Sequence, residues 1–340
     1  MNAAAAAAAP PFEHLGRLTD HRGLFEHALH SAPRVEHGYC VDDVARGLVV
    51  VCREPGQTFN VRRLGRLYLD FTLAAVSDDG AVHNRMGTDG SWTDRPGLGD
   101  WWGRALWGLG IAAVHAPPSM RDRALRGFHL AARRRSPDAR ALAFAALGAG
   151  ELLLHLPADT AARALLADAV QAIGPLGSDP AWPWPEPRLR YANGAVVEAM
   201  LLAGAYLPDP SVLDTGLRLL DFLLGTQTRD EHLSVTGAGG RGPDDLAPTY
   251  DQQPIEVASL ADACARAYDL TAEPRWLDGV RMSWSWFLGD NDTGVPMLDP
   301  ATGAGFDGLE PLGRNLNQGA ESTLAMLSTA QQARRLGMYG

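Results

Sequence analysis

His37-Gly38-Tyr39-Cys40-Val41-Asp42-Asp43 runs without a break into an apolar helical pattern, and four later stretches repeat that layout. They are Gly99-Asp100-Trp101-Trp102-Gly103-Arg104, Tyr191-Ala192-Asn193-Gly194, Asp251-Gln252-Gln253-Pro254-Ile255-Glu256 and Asn315-Leu316-Asn317-Gln318-Gly319-Ala320-Glu321. In each, a loop rich in Trp, Asp, Gln or Asn leads into an Ala/Leu-rich helix, and a second helix follows after a short connection. If the first helices of these pairs form an inner ring, the five loops converge on one cavity lined by carboxylates, amides and indoles.

Apolar periodicity near 3.6 residues dominates the remainder, and alternating strand patterns are scarce. The spacing predicts helices over 22–31, 41–54, 60–77, 100–115, 119–134, 137–155, 158–174, 191–206, 211–227, 253–270, 274–288 and 318–336. Pro137 and Pro274 fall at first-turn positions, where the missing N–H costs little, and Gly174-Pro175 stops a helix. Ser136 or Asp138 is placed to cap the helix near Pro137. Connections near 55–59, 116–118, 156–157, 207–210 and 271–273 are short, whereas 78–99, 175–190, 228–251 and 289–317 are long and polar. Short loops therefore gather on one rim and long loops on the other. Six such hairpins closing on themselves make an all-α (α/α)6 toroid, a six-hairpin barrel in a single domain spanning 21–340. An open superhelical array is the competing arrangement, but no fixed period of self-similar sequence supports it.

Length and composition agree with one large core: 340 residues, 46% hydrophobic, with no Gly/Ser/Pro linker dividing the middle. Forty acidic against thirty basic residues give a formal charge of −10, which argues against nucleic acid as a partner. Arg133-Arg134-Arg135 reads as a solvated helix end favoured by the macrodipole. Every one of the thirty basic residues is Arg. The absence of Lys excludes Schiff-base, pyridoxal-phosphate and P-loop lysine chemistry, and no cofactor is expected. Cys40, Cys52 and Cys264 form no CxxC motif and are odd in number, so neither a disulfide framework nor a zinc knuckle is indicated, and a reducing cytoplasmic compartment is the simplest expectation. The Ala3–Ala9 run lacks a basic preceding segment and is stopped by Pro10-Pro11, so residues 1–20 read as a disordered leader rather than a signal peptide. No apolar run is long enough to span a bilayer, and no membrane partner is expected.

The converging loops carry chemistry. Glycosidic bond cleavage needs one carboxyl to protonate the leaving oxygen and another to activate water or attack carbon. Asp42, Asp43, Asp100, Asp251, Glu256 and Glu321 all stand at helix starts, where the positive end of the dipole favours anions. Acidic residues in a first turn are also ordinary helix design; six around one rim beside indoles favour function. Gln253/Glu256 and Gln318/Glu321 each place an amide and an acid three residues apart on one helix face, as a catalytic pair or as capping arrangements. Arg46 sits one turn beyond Asp42 and is placed to pair with it. Trp101, Trp102, Trp182 and Trp184 lie in loops or at a helix start and suit stacking on a pyranose face. Trp107, Trp276, Trp284 and Trp286 fall inside helices and read as core. Loop 78–99, with Arg85 and Trp92, is a Gly/Asp-rich excursion that walls the cavity.

The phrase His37-Gly38-Tyr39-Cys40-Val41-Asp42-Asp43-Val44-Ala45-Arg46 and the terminal Asn317-Gln318-Gly319-Ala320-Glu321-Ser322-Thr323 resemble signatures of bacterial proteins associated with glycosyltransferases. More broadly, the chain resembles the six-hairpin glycosidase superfamily of (α/α)6 barrels. That resemblance implies carbohydrate-active function with carboxylates at inner-helix N-termini. A transferase fits poorly, because no doubly wound nucleotide-binding domain or glycine-rich βα turn is visible.

The resulting expectation is a glycoside hydrolase acting on a short neutral oligosaccharide. Asp43, Glu256 and Glu321 are the candidate catalytic carboxylates, with one pKa raised by burial against Trp101 or Trp102. Tyr39, Asp42, Arg46, Arg85, Asp100, Trp101, Trp102, Arg104, Trp184, Asn193, Gln252, Gln253, Asn315 and Gln318 are the candidate substrate-binding residues. Phosphorolysis, a sugar epimerase or isomerase using His37, His83 or His232, a polysaccharide lyase using Tyr39, Tyr191, Asn193 or Tyr250, and a non-catalytic glycan-binding subunit are the alternatives. No metal-ligand spacing is present; Asp290, Asn291, Asp292 and Asp299 read as a solvated turn rather than a calcium site.

Overall fold

The computed structural model describes residues 11–56 and 58–339. From residue 41 onward every expected helix is present. Six of them are buried around most of their circumference and form the inner ring: α2 (Val41–Arg53), α4 (Asp100–His115), α6 (Ala139–His155), α8 (Asn193–Tyr206), α10 (Pro254–Thr271) and α12 (Ala320–Arg335). Each inner helix packs on the next, and α12 packs back on α2, closing the ring. Outside it lie α3 (Phe59–Ala75), α5 (Pro118–Ala131), α7 (Thr160–Ile173), α9 (Pro210–Gln227) and α11 (Arg275–Leu288). These are amphipathic. In α3, Val61, Leu64, Tyr68, Leu69 and Thr72 recur at three- and four-residue intervals and are buried, as one face of an outer helix requires.

The Gly and Ala content of the inner helices lets their backbones approach closely. A Cβ on Gly110 of α4 would come within 2.4 Å of the Gly148 carbonyl on α6, and one on Gly148 within 2.3 Å of the Leu106 carbonyl. Asp138 caps α6 by accepting from Arg140 N and Ala141 N. Trp276 and Trp286 are fully buried and Trp107 and Trp284 nearly so, as expected of core indoles. Among the described residues no helix is long and apolar enough to cross a membrane.

Two expectations fail before residue 41. The span 22–31 is not a helix: the Asp20 side chain accepts from Arg22 N and Gly23 N to make a turn, and His30, at φ +50°, turns the chain between β1 (Ala28–Leu29) and β2 (Ala32–Pro33). A short helix α1 (Glu13–Arg17) precedes it, docked on α12, with His14 Nε2 bonded to the Gln318 carbonyl at 2.9 Å. The leader expected to reach residue 20 is therefore too long. Leu15 and Leu18 are fully buried, so residues 11–20 belong to the folded body, while 1–10 lie outside the described residues.

The long connections fold into small antiparallel ribbons rather than open loops. β3 (Tyr39–Cys40) pairs with β4 (Arg85–Met86), β5 (Thr228–Arg229) with β6 (His232–Leu233), β7 (Leu298–Asp299) with β8 (Ala304–Gly305), and β9 (Gly308–Glu310) with β10 (Gly313–Asn315). β3 packs on α2 and β8 on α12, at the rim where those inner helices begin, while β6 packs on the outer helix α11.

Candidate active site

A cavity of about 680 Å³ opens at that rim. Asp42, Asp43 and Arg46 reach it from α2, Asp100 and Trp101 from α4, Gln253 from the start of α10, and Glu321 from α12; Arg85 and Asn315 reach it from the ribbons. The ring thus brings together nine of the seventeen candidate residues. The wall also takes Glu26, His27, Cys40, Asn84, Tyr191, Asp251, Asp307 and Ser322. Glu26 lies midway through the span 22–31 and Asp307 between β8 and β9, so neither falls at an inner-helix start, where the sequence points to site carboxylates.

Arg46 organises the centre. Its Nη2 donates to Asp43 Oδ1 at 2.5 Å and Asp42 Oδ2 at 3.0 Å, and its Nη1 donates to Glu321 Oε2 at 2.6 Å. The expected Asp42–Arg46 pair is present, but it is one edge of a larger network. Arg104, buried one layer below, holds Asp42 Oδ1 from Nε at 2.8 Å. Two guanidiniums thus face three carboxylates, and one proton is needed to balance them. Burial pushes Asp43 up to about 8; Arg46 opposes this, while Asp42, Glu321 and Glu26 reinforce it. The proton therefore belongs on Asp43, whose side chain is 3% exposed, beside a Glu321 side chain that is 40% exposed to the cavity. The cause is burial first and the neighbouring acids second.

Asp100 is also held above the usual carboxylate range, chiefly by burial, and accepts from the Tyr191 hydroxyl at 2.6 Å. Asp251 is raised by burial and by the nearby Glu310 and Asp307. Trp101 donates its Nε1–H to the Val82 carbonyl at 2.7 Å, which fixes the indole against the wall. Glu26, Cys40 and Asp43 bring three ligand atoms within 4.8 Å of one another. Arg85 already faces Glu26, Arg46 faces Asp43, and burial raises the Cys40 thiol, so a cation there would have to displace two guanidiniums and a thiol proton.

The other candidates sit behind the wall. Glu256 is buried and accepts from Ala192 N, from Asn193 N at 3.4 Å and from Asn193 Nδ2 at 2.9 Å, so it satisfies the orphan donors at the start of α8. Asn193 is consumed in the same arrangement. Tyr39 is a core residue stacked on Phe25, its hydroxyl donating to Asp20 at 2.7 Å. Trp102 is fully buried with its Nε1–H on the Ala131 carbonyl, and Trp184 is equally buried. Gln252 donates to Asp292 at 2.6 Å, and Gln318 donates to Asp299 at 2.8 Å. These amides hold the ribbons to the helices. Helix α6, whose start gave no polar signature, contributes Arg140, which pairs with Glu186 and lies 5.2 Å from the Tyr191 ring. His83 bonds to Asp94, His232 to Asp292, and His37 packs edge-on against His27; none of the three lines the cavity.

No family model matches the chain, and no curated protein matches it by sequence. Solved structures do match in shape. A sugar epimerase from a ruminal bacterium superposes with a TM-score of 0.71 at 12% identity, over 96% of this chain and 95% of that one. Cellobiose 2-epimerase from Bacillus thermoamylovorans gives 0.71 at 10% identity, over 95% of each chain. The cellulase Cel9M of C. cellulolyticum in complex with cellobiose gives 0.62 at 10% identity, over 93% of this chain and 88% of that one. The chain has the six-hairpin (α/α)6 toroid fold. Identities this low carry the fold alone, so the chemistry rests on the cavity's own residues.

Proposed function

We propose that the chain is a carbohydrate-active enzyme that hydrolyses glycosidic bonds of a short neutral oligosaccharide in the rim cavity. The observation that carries this reading is the pair Asp43 and Glu321 on one guanidinium, Asp43 buried and pushed up to about 8, Glu321 facing the cavity. Asp43 is suited to deliver a proton to the leaving oxygen. Glu321, held by Arg46 Nη1 and facing the cavity, is suited to activate water or to attack carbon. Asp100 with Tyr191, and Gln253, offer hydroxyl partners, and the Trp101 indole offers a face for a pyranose. Seven carboxylates line the cavity against Arg46 and Arg85, a balance that disfavours uronates and sugar phosphates there.

Epimerisation is the second reading, favoured by the shape match to sugar epimerases. Its base would be His27, which among the described histidines alone lines the cavity, 3.6 Å from Glu26. One screen separates the two: linkage-defined gluco- and manno-oligosaccharides, with and without phosphate, followed by chromatography of the products. New reducing ends that vanish in Glu321→Gln support hydrolysis. A sugar phosphate formed only with phosphate replaces it by phosphorolysis. An isomeric sugar with no new reducing end, lost in His27→Ala, replaces it by epimerisation.

A further inference from the structure

A second pocket, of about 330 Å³, lies between the C-terminal end of α9 and the loops 175–190 and 228–251, and it shares no wall residue with the acidic cavity. Its wall includes Arg241, which is buried at 5% exposure. Backbone bonds to Leu189 in both directions, at 2.7 and 3.0 Å, fix Arg241 in place. Its guanidinium meets neutral groups only: Nη1 donates to the Thr226 carbonyl at 2.6 Å, Nη2 reaches Ser234 Oγ at 3.4 Å, and Nε has no partner. Among the described residues Arg241 forms no ion pair. Asp245, on the same wall, is taken by Arg188 at 2.8 Å and by Gly242 N at 2.7 Å. Asp292, beyond Ser234, is taken by His232 and Gln252.

A buried guanidinium without a counter-charge is costly, and in a chain with ten excess negative charges an internal partner would be easy to supply. Burial accordingly lowers the Arg241 pKa, with Asp292 and Asp245 only partly offsetting it. Arg229 adds a second cation to the pocket wall. Trp182, edge-on to Phe222 at 5.1 Å between ring centres, lines the same pocket and offers an apolar face.

We propose that this pocket binds a small organic oxyanion, with its carboxylate or phosphate on Arg241 and Arg229 and its body against Trp182. A planar guanidinium suits either group, and the volume suits a monosaccharide-sized ligand. The acidic cavity repels the same ligands, so anion binding reports on the Arg241 pocket.

The test uses the full chain. Thermal unfolding and calorimetric titration are run with glucose 6-phosphate, glucuronate, inorganic phosphate and neutral glucose. A rise in Tm with at least one of the two sugar anions, beyond any that glucose gives, is expected. Arg241→Gln should weaken that binding by about ten- to a hundredfold and Arg229→Gln by several-fold, while Asp43→Asn leaves it unchanged. Arg229 is solvent-facing, so Arg229→Gln gives a reading even if Arg241→Gln does not fold. Neither sugar anion binding the wild type, or unchanged affinity in Arg229→Gln, overturns the proposal. Inorganic phosphate reproducing the whole effect overturns the assignment of an organic ligand.

Discussion

Arg46 Nη2 stands 2.5 Å from Asp43 Oδ1, so the most buried acid of the cavity leans on a cation that also holds Glu321 from its other nitrogen. A guanidinium shared in this way fixes the spacing of two carboxyls and makes their charges interdependent. Removing either acid therefore changes both the chemistry and the charge balance.

Asp43→Asn and Glu321→Gln should each lower kcat by about 10²–10⁴-fold on the substrate found by the screen, with substrate affinity altered far less. Steady-state kinetics read the loss, and circular dichroism checks that the ring is intact. Near-parental rates in both variants would move the chemistry to Asp100 and Asp251, the other wall acids whose pKa is raised.

The pH profile follows from the same proton. Asp43 works as an acid only while protonated, so kcat/KM should fall above about 8, by about tenfold per pH unit. Stability moves with the same sign. A carboxyl whose folded pKa lies above its unfolded value binds its proton more tightly in the native state, so its contribution is complete below the unfolded value and is lost as pH rises to about 8. Asp43→Asn should flatten that loss between pH 4 and 8, as read from denaturant midpoints.

An opposite slope belongs to the far end of the toroid. Burial would raise Glu151, but the His115 bond and the Arg266 and Arg53 charges bring it down to about 2. Its stabilisation is present above the ordinary glutamate range and is lost as pH falls towards 2. Glu151→Gln should therefore be destabilised relative to wild type at pH 7 and converge with it near pH 2.

Helix periodicity and loop length made the ring legible because both report on burial along a regular element. The site was legible where a side chain emerges in the first turn of an inner helix, as with Asp42, Asp43, Asp100 and Glu321. It was obscure where adjacent positions of one helix fall on different faces. Trp101 and Trp102 are consecutive, so one indole faces the cavity and the other the core. The 22–31 span misled because its apolar spacing fits a helix while the Asp20 turn and the His30 reversal set the backbone.

Those two indoles make a paired prediction. Trp102→Ala should cost about 3–5 kcal/mol of stability, since a fully buried indole and its bond to the Ala131 carbonyl are lost from the inner ring. Trp101→Ala should cost less stability and raise KM. Thermal melts beside substrate titrations separate the two effects.

Glu256 decides whether a carboxylate at an inner-helix start is catalytic or structural. Burial raises it to about 7, the value a general acid needs, yet its oxygens are spent on Ala192 N, Asn193 N and Asn193 Nδ2. A proton donor must reach the reacting oxygen, and Glu256 is not on the cavity wall. Geometry therefore outweighs the favourable pKa. Removing the side chain leaves the first N–H groups of α8 buried without acceptors, which costs about 2–4 kcal/mol. Glu256→Ala should accordingly lower the urea midpoint strongly while the folded fraction keeps kcat within about tenfold of wild type. Glu321→Gln should show the reverse pattern, with a small change in midpoint and a large fall in kcat. A Glu256→Ala protein that melts like wild type but turns over a thousandfold more slowly would return Glu256 to the catalytic set.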